Sequence, residues 1–399
     1  MDLESFRFLF TTQGKRLLHE LTATPITPQN HLALAARLRR EVTPGQAHAL
    51  LQTALLRQEA TAKFSRANAM YFTRPALEQA SSEVVSTYRA QRYAQTGFSF
   101  VADLACGIGG DALALTGRSH VVGVDRERLR LAMARANVAA YGHGARFDPV
   151  QADLLALAPL AVEAFFFDPG RRDERGRRLH SVHNYRPPLS VIERWLPRVA
   201  HGAVKISPGV DYAELPPGAE IEFISVAGEV KEGVLWFGAL RTGAQRRATL
   251  LPSGHTLSTI GATDMPVPVT RPRAFLYEPD GAVIRAHLVQ VLARQLEASK
   301  IDDDIAYLTA DRAQETPFAR CFALDEALPF HLKQLRHTLR QRGIGRVTVK
   351  KRGSPLAPEE LQRRLRLGKE VGEQHAILFL THVQGEPYVL IGREIAPNK

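Results

Sequence analysis

Four aspartates punctuate the middle of this chain, each inside or just beyond a short apolar run: Asp103 in "FSFVADLA", Asp125 in "HVVGVD", Asp153 in "ARFDPVQAD" and Asp168 in "AFFFDPGRR". Carboxylates at successive strand ends face one edge of a sheet, and in open α/β sheets that edge is where ligands bind. The first run continues into the glycine-rich turn "ACGIGGD", whose glycines let backbone approach a ligand closely and aim N–H groups at it. Gly107, Gly109 and Ala112 also fit the dinucleotide spacing, so the turn alone admits a nicotinamide or flavin cofactor. The acids narrow the choice. Asp103 would repel a pyrophosphate but suits an ammonium group. Asp125, 18 residues past Gly107, is placed to accept both hydroxyls of a ribose, and Asp153 can accept from an exocyclic adenine amine. Asp168 opens "DPGRR", where a carboxylate can accept a hydrogen bond or a proton and Arg171 and Arg172 offer planar forks for an anion.

The elements that must position these residues can be read around them. From about Ser99 to Leu240, the four runs above are followed by "AVKIS", "EIEFISV" and "VLWFGAL", with helix-length spacers between the earlier ones. That alternation predicts a doubly wound α/β sheet; the last two runs are too close for a helical crossover and are expected to be antiparallel. Ahead of it, residues 1–95 show helical periodicity, as in "TPGQAHALLQTALLRQEATAKF", where Thr43 caps and Pro44 takes the first helical position. Residues 241–270 read as a connector with strand fragments. Beyond it, "RAFLYEPDGAVI" gives a strand and turn, "AHLVQVLARQLE" and "PFHLKQLRHTLRQRG" give helices, "RVTVKK" a strand, "APEELQRRLRL" a capped helix, and "AILFLTHVQGEPYVLIGRE" a hairpin.

A ligand that joins ribose, adenine and a cationic amino-acid end fits the first three acids, and S-adenosylmethionine is such a ligand. Over Ser99 to Leu240 the chain resembles the class I methyltransferases, whose Rossmann-like sheet of seven strands ends in an antiparallel pair. The flanks carry a closer resemblance. "KFSRANAMYFTRPALEQASSEVVSTYRAQRY", "DPGRR", "KISPGVD" and "VTVKKRGSPLAPEELQRRLRL" together are similar to bacterial methyltransferases with a THUMP-like carboxyl-terminal domain. The resemblance implies RNA, tRNA or rRNA, as substrate. It places Phe72, Thr73, Asp103, Ala105, Gly107, Gly109, Asp125 and Asp153 at the cofactor, with Phe72 and Thr73 packing over it. It places Asp168, Pro169 and Arg171 at the reacting centre, after the Asp-Pro-Pro-Arg loops of several RNA base methyltransferases. Gly170 stands where the second proline would be, and glycine's wider conformational range is expected to loosen the loop. Arg171, Arg172 and Tyr185 are expected to hold the substrate, Tyr185 by stacking on a base.

Charge points the same way. The chain of 399 residues carries a formal +11, and between His331 and Glu370 twelve Lys or Arg face three acids, a net of +9 in that window. A concentrated basic region is the footprint of a polyanion partner. Lys350, Lys351 and Arg352 are the residues expected to meet RNA. Asp173 and Glu174 dilute the charge of "RRDERGRR". With only Cys106 and Cys321, neither a disulfide framework nor a cysteine zinc site is expected; Cys106 reads as a small packing residue, which disfavours pyrimidine C5 methylation through a cysteine adduct. His180, His183 and His255 lack metal-ligand spacing, so no metal is expected. No run reaches the roughly 20 apolar residues of a membrane helix, no secretory signal is evident, and a cytoplasmic enzyme is expected.

The expected organisation is a helical domain at 1–95, a methyltransferase domain at 96–242, and a connector with a basic THUMP-like α/β domain at 243–399. The expected activity is methylation of a base nitrogen in RNA. Three alternatives stay open: an RNA-binding protein that holds the cofactor without turnover, a small-molecule methyltransferase, and an oxidoreductase.

Overall fold

A computed structural model describes residues 1–395 apart from 23–24, 173–176, 178, 180, 264 and 369. The chain forms two compact units, the first made of Met1–Glu220 and Glu232–Thr242, the second of Ile221–Lys231 and Gly243–Lys399.

The first unit opens with helices α1 (Leu3–Phe8), α2 (Thr12–Thr22), α3 (His31–Leu38), α4 (Pro44–Ala60), α5 (Arg74–Gln79) and α6 (Glu83–Thr96). Helix α4 starts where its sequence signals it: Thr43 and Gln46 form a reciprocal capping box and Pro44 sits at the helical start. Then come β1 (Phe100–Leu104), α7 (Ala112–Leu115), β2 (His120–Asp125), α8 (Arg128–Ala140), β3 (Phe147–Gln151), β4 (Ala164–Phe167), α9 (Val191–Trp195), β5 (His201–Ile206), β6 (Glu220–Val226) and β7 (Glu229–Phe237). Within this unit the strands lie in the order β3-β2-β1-β4-β5-β7, parallel except for β7, which runs antiparallel to β5. Order reverses at β1, between β2 and β4, so the carboxyl ends of β1, β2 and β4 open the crevice in which such sheets bind ligands. Phe165, Phe166 and Phe167 are buried, as are Val101, Ala102 and Leu104; a strand covered on both faces needs a continuous apolar run rather than alternation.

The second unit holds β6 from Ile221 on, beside β8 (Arg246–Leu251), which pairs with β9 (His255–Ser258). Its larger sheet is built from β10 (Phe275–Pro279), β11 (Ser299–Lys300), β12 (Leu308–Ala310), β13 (Ala319–Pro329), β14 (Ile344–Lys351), β15 (Gln374–Val383) and β16 (Glu386–Glu394), with helices α10 (Gly281–Arg285), α11 (Val289–Gln295), α12 (Leu332–Gln341) and α13 (Pro358–Leu365). The order is β11-β12-β10-β13-β16-β15-β14, with β14 and β15 the parallel pair. The turn expected after β10 is a short helix instead, because Asp280 caps it by accepting from the Ala282 N–H at 2.8 Å. Leu335 and Leu339 of α12 and Leu361 and Leu365 of α13 share one core with Leu378 and Leu380 of β15. Both helices therefore cover the same face of the sheet and turn their charged sides outward.

Candidate active site

The turn after β1 is shaped by three residues in left-handed conformation: Ala105 (φ 60°), Gly107 (φ 55°) and Gly109 (φ 81°). A side chain on Gly109 would meet Ala134 of α8 at 3.2 Å, so glycine there lets the turn close on the helix. At Gly107 a Cβ would meet nothing within 4 Å, which leaves open space in front of the turn. The Gly107 N–H donates to Asp125 Oδ2 at 3.0 Å and the Glu127 N–H to Oδ1 at 2.9 Å, fixing the carboxylate at the end of β2 beside the turn. Those two bonds leave lone pairs free on both oxygens. Asp153 is half-buried, and its Oδ1 accepts from the Leu155 N–H at 2.9 Å.

Asp103 differs from both. It is 1% exposed, and neither of its carboxylate oxygens has a hydrogen-bond partner among the described residues. Burial, reinforced by the nearby Asp111 and Asp168, pushes its pKa well above the usual carboxylate range. Behind it lies a buried charge cluster. Arg89 of α6 is paired with Asp111 and Glu232, donates to Ser81 Oγ at 2.8 Å, and lies 4.8 Å over the Phe166 ring. Lys205 of β5 donates to Asp168 Oδ2 at 2.7 Å and to Ser81 Oγ at 2.9 Å, and stands 3.9 Å from Glu232. Burial lowers the Lys205 pKa while Asp168 acts to hold it up. Four carboxyl groups thus surround two cations, and the member without a partner is Asp103. The excess is acidic, which suits a cationic ligand group.

Asp168 lies one residue beyond β4 with its side chain 21% exposed, the most open carboxylate of the cluster. The loop behind it is pinned rather than loose: Gly170 and Arg186 exchange N–H···O bonds of 2.9 Å in both directions. A proline at 170 could not donate that bond, and a Cβ there would stand 3.1 Å from the Arg186 carbonyl oxygen, so glycine tightens this loop where the sequence suggested loosening. Pro169 is buried. Half-buried Arg171 donates to the Ile206 carbonyl at 3.1 Å, at the end of β5, and Arg172 is exposed.

Several expected roles need correction. Tyr185 is 2% exposed and its hydroxyl accepts from the Ser207 N–H at 3.0 Å; it braces the end of β5 and offers no face to a base. Phe72 is fully buried, its ring 5.8 Å from that of Phe64, so it is a core residue rather than a cofactor cover. Thr73, half-buried, caps α5 by accepting from the Ala76 N–H. In the second unit Lys350 pairs with Glu278 and lies 5.3 Å over the Phe322 ring, while the Arg352 guanidinium lies 5.1 Å over the Tyr307 ring. Both are spent on internal contacts; Lys351 faces solvent. Other exposed cations of the basic window include Lys333 and Arg340 of α12 and Arg363 and Arg366 on and after α13. Cys106 is buried, with burial and the nearby Asp103 and Asp125 pushing its thiol well up, so it holds no ready thiolate. Among the described residues no group of three His, Cys, Asp or Glu could hold a metal ion, and no helix is long and apolar enough to cross a membrane. Asp173, Glu174, His180 and Lys369 lie outside the described residues.

The fold and this crevice define a class I methyltransferase. The chain belongs to the S-adenosylmethionine-dependent methyltransferases: it is 36% identical over 332 residues to an uncharacterized member from Mycobacterium tuberculosis H37Rv, covering 80% of this chain and 88% of the relative, and matches the CDC 1551 strain's protein equally. A crystal structure of a candidate methyltransferase from Porphyromonas gingivalis W83 superposes with a TM-score of 0.72 at 20% identity, over 94% of this chain and 100% of the other. Residues 319–394 match the THUMP domain-like family, and residues 2–60 match a domain of unknown function. The cofactor is therefore S-adenosylmethionine. The partnerless oxygens of Asp103 and the space before Gly107 fit its ammonium group and its approach to the turn.

Arg89, Asp111, Lys205, Glu232 and Ser81 escaped the sequence reading. The signal was present: Lys205 interrupts the apolar strand "HGAVKI", and a lone charge in a buried strand demands a partner.

Proposed function

We propose that this methyltransferase acts on a base nitrogen of tRNA or rRNA, in the cytoplasm. The observation that carries the reading is Asp168, held by the Lys205 ammonium at 2.7 Å yet open on its other side, on the same sheet edge as the glycine turn. Bound S-adenosylmethionine supplies an electrophilic methyl carbon on a sulfonium. The chain's own task is to hold a nucleophilic nitrogen in line with it, and positioning accounts for most of the rate in such a transfer. Asp168 accepts a hydrogen bond from the base amine and fixes its lone pair; the Lys205 ammonium holds that carboxylate in place. Pro169 and the Gly170–Arg186 bridge set the loop, and Arg171 and Arg172 grip a phosphate or base edge. Asp103, Ala105, Gly107, Gly109, Asp125 and Asp153 form the cofactor side.

The choice of RNA is supported by the THUMP domain-like match over 319–394 and by the exposed cations of α12 and α13. The test is transfer of labelled methyl from S-adenosylmethionine to total RNA from a strain lacking the gene, with wild-type RNA and an Asp168→Ala variant as controls. Label in one RNA size class from the deletion strain alone supports the reading. Cofactor binding without label in any RNA refutes it.

A further inference from the structure

A recess lies among the amino-terminal helices. It has a volume of about 450 Å³, and its polar lining is Lys15, His19 and Thr22 of α2, Arg57 of α4, Asn68 and Tyr71. Every ionisable side chain among these that is charged at neutral pH is cationic; no carboxylate lines it among the described residues. Arg57 is decisive. It is 7% exposed, donates through Nε to the Met70 carbonyl at 2.8 Å, and stacks 4.8 Å over the Tyr71 ring, yet it has no carboxylate partner among the described residues. A buried guanidinium without a counter-charge is costly, and burial accordingly lowers its pKa. Four acids of the amino-terminal helices have partners of their own. Glu20 and Glu41 pair with Arg16 at 2.6 and 2.8 Å, Glu59 pairs with Arg74, and Asp2 accepts from the Ser5 N–H at the start of α1. The buried charge therefore faces a recess lined by no carboxylate among the described residues, where an incoming anion would meet it.

We propose that this recess is a phosphate-binding site, with Arg57 as its buried anchor, Lys15 as the second cation, and His19, Thr22 and Asn68 as further donors. A guanidinium fork matches two phosphate oxygens at once, and an ammonium at the rim adds a point charge. The volume exceeds what a bare phosphate needs and suits a phosphate ester. Two sources share that chemistry: a small phosphorylated metabolite and the phosphodiester backbone of an RNA. Only the second depends on the RNA reading given above.

The experiment is calorimetric titration of the full chain, at matched ionic strength, with inorganic phosphate, with ribose 5-phosphate and with unmodified RNA from the deletion strain. The variants are Arg57→Gln and the solvent-exposed Lys15→Glu, which keeps the test valid if the buried change impairs folding. Binding of inorganic phosphate by the wild type, weakened about tenfold or more in Lys15→Glu with S-adenosylmethionine affinity unchanged, establishes the site. Ribose 5-phosphate binding much tighter than phosphate, with RNA affinity unmoved by Lys15→Glu, assigns it to a metabolite. RNA affinity falling about tenfold in Lys15→Glu assigns it to the backbone. A wild type that binds phosphate at this recess but no RNA keeps the site and removes the RNA reading. No phosphate binding, or equal binding in wild type and Lys15→Glu, overturns the proposal.

Discussion

Asp103→Asn should stabilise the cofactor-free protein while weakening its hold on S-adenosylmethionine. The side chain is buried, its two oxygens lack partners, and Asp111 and Asp168 oppose its charge. Its folded pKa is raised, so between the ordinary aspartate range and that raised value the folded chain holds a proton that the unfolded chain has released. Because the native state then binds more protons, stability falls as pH rises through this interval. Asparagine is nearly isosteric and escapes both the retained proton and the buried charge. An unsatisfied buried polar group costs about 1–3 kcal/mol, and since the amide remains imperfectly paired we expect about 1–2 kcal/mol to be recovered at neutral pH. For a unit of this size that is a rise in Tm of about 2–4 °C per kcal/mol. The gap between variant and wild type should widen as pH rises above the ordinary aspartate range, measured by thermal melts without cofactor. With cofactor the order reverses: loss of a charge-assisted bond worth about 1.5–3 kcal/mol should weaken S-adenosylmethionine binding by about 10- to 100-fold. A variant less stable than wild type at every pH, or one that binds the cofactor as before, would refute the reasoning.

Lys205→Met should cost about 2–4 kcal/mol in urea denaturation, less than for a wholly buried pair because Asp168 keeps some water, and should abolish methyl transfer while leaving cofactor binding within about threefold. Retained transfer would remove Lys205 from its positioning role. Ala105→Gly should stabilise the protein by about 0.5–1 kcal/mol, because alanine at φ 60° is strained where glycine is not; an equal or lower denaturation midpoint would contradict this. Lys333→Glu with Arg363→Glu should lower the salt slope of RNA binding by about 1 for each phosphate no longer neutralised, whereas Lys350→Glu should destabilise the second unit and leave that slope unchanged. A slope that responds to Lys350 alone would reverse the assignment of the basic face.

The sequence was most legible where one pattern had one structural meaning. The apolar runs ending at Asp103, Asp125 and Asp168 became adjacent strands because a strand buried on both faces can be read from hydrophobicity alone, and the Thr43–Pro44 signal became a capped helix for equally local reasons. What local pattern could not supply was the direction of side chains in loops and at sheet edges. Tyr185 reads as a loop aromatic, but a hydroxyl bond to Ser207 draws it into the core; Lys350 and Lys351 are neighbours whose side chains alternate across a strand, so one pairs with Glu278 while the other meets solvent. The charge cluster was hardest to foresee because its members come from α6, the glycine turn, the end of β4, β5 and β7, and charges that distant in sequence announce nothing to one another. Yet each breaks an apolar context. Lys205 and Arg89 can be buried only because acids meet them, and Asp103, the acid left over, marks where the fold has kept a place for a positive charge that it does not itself provide.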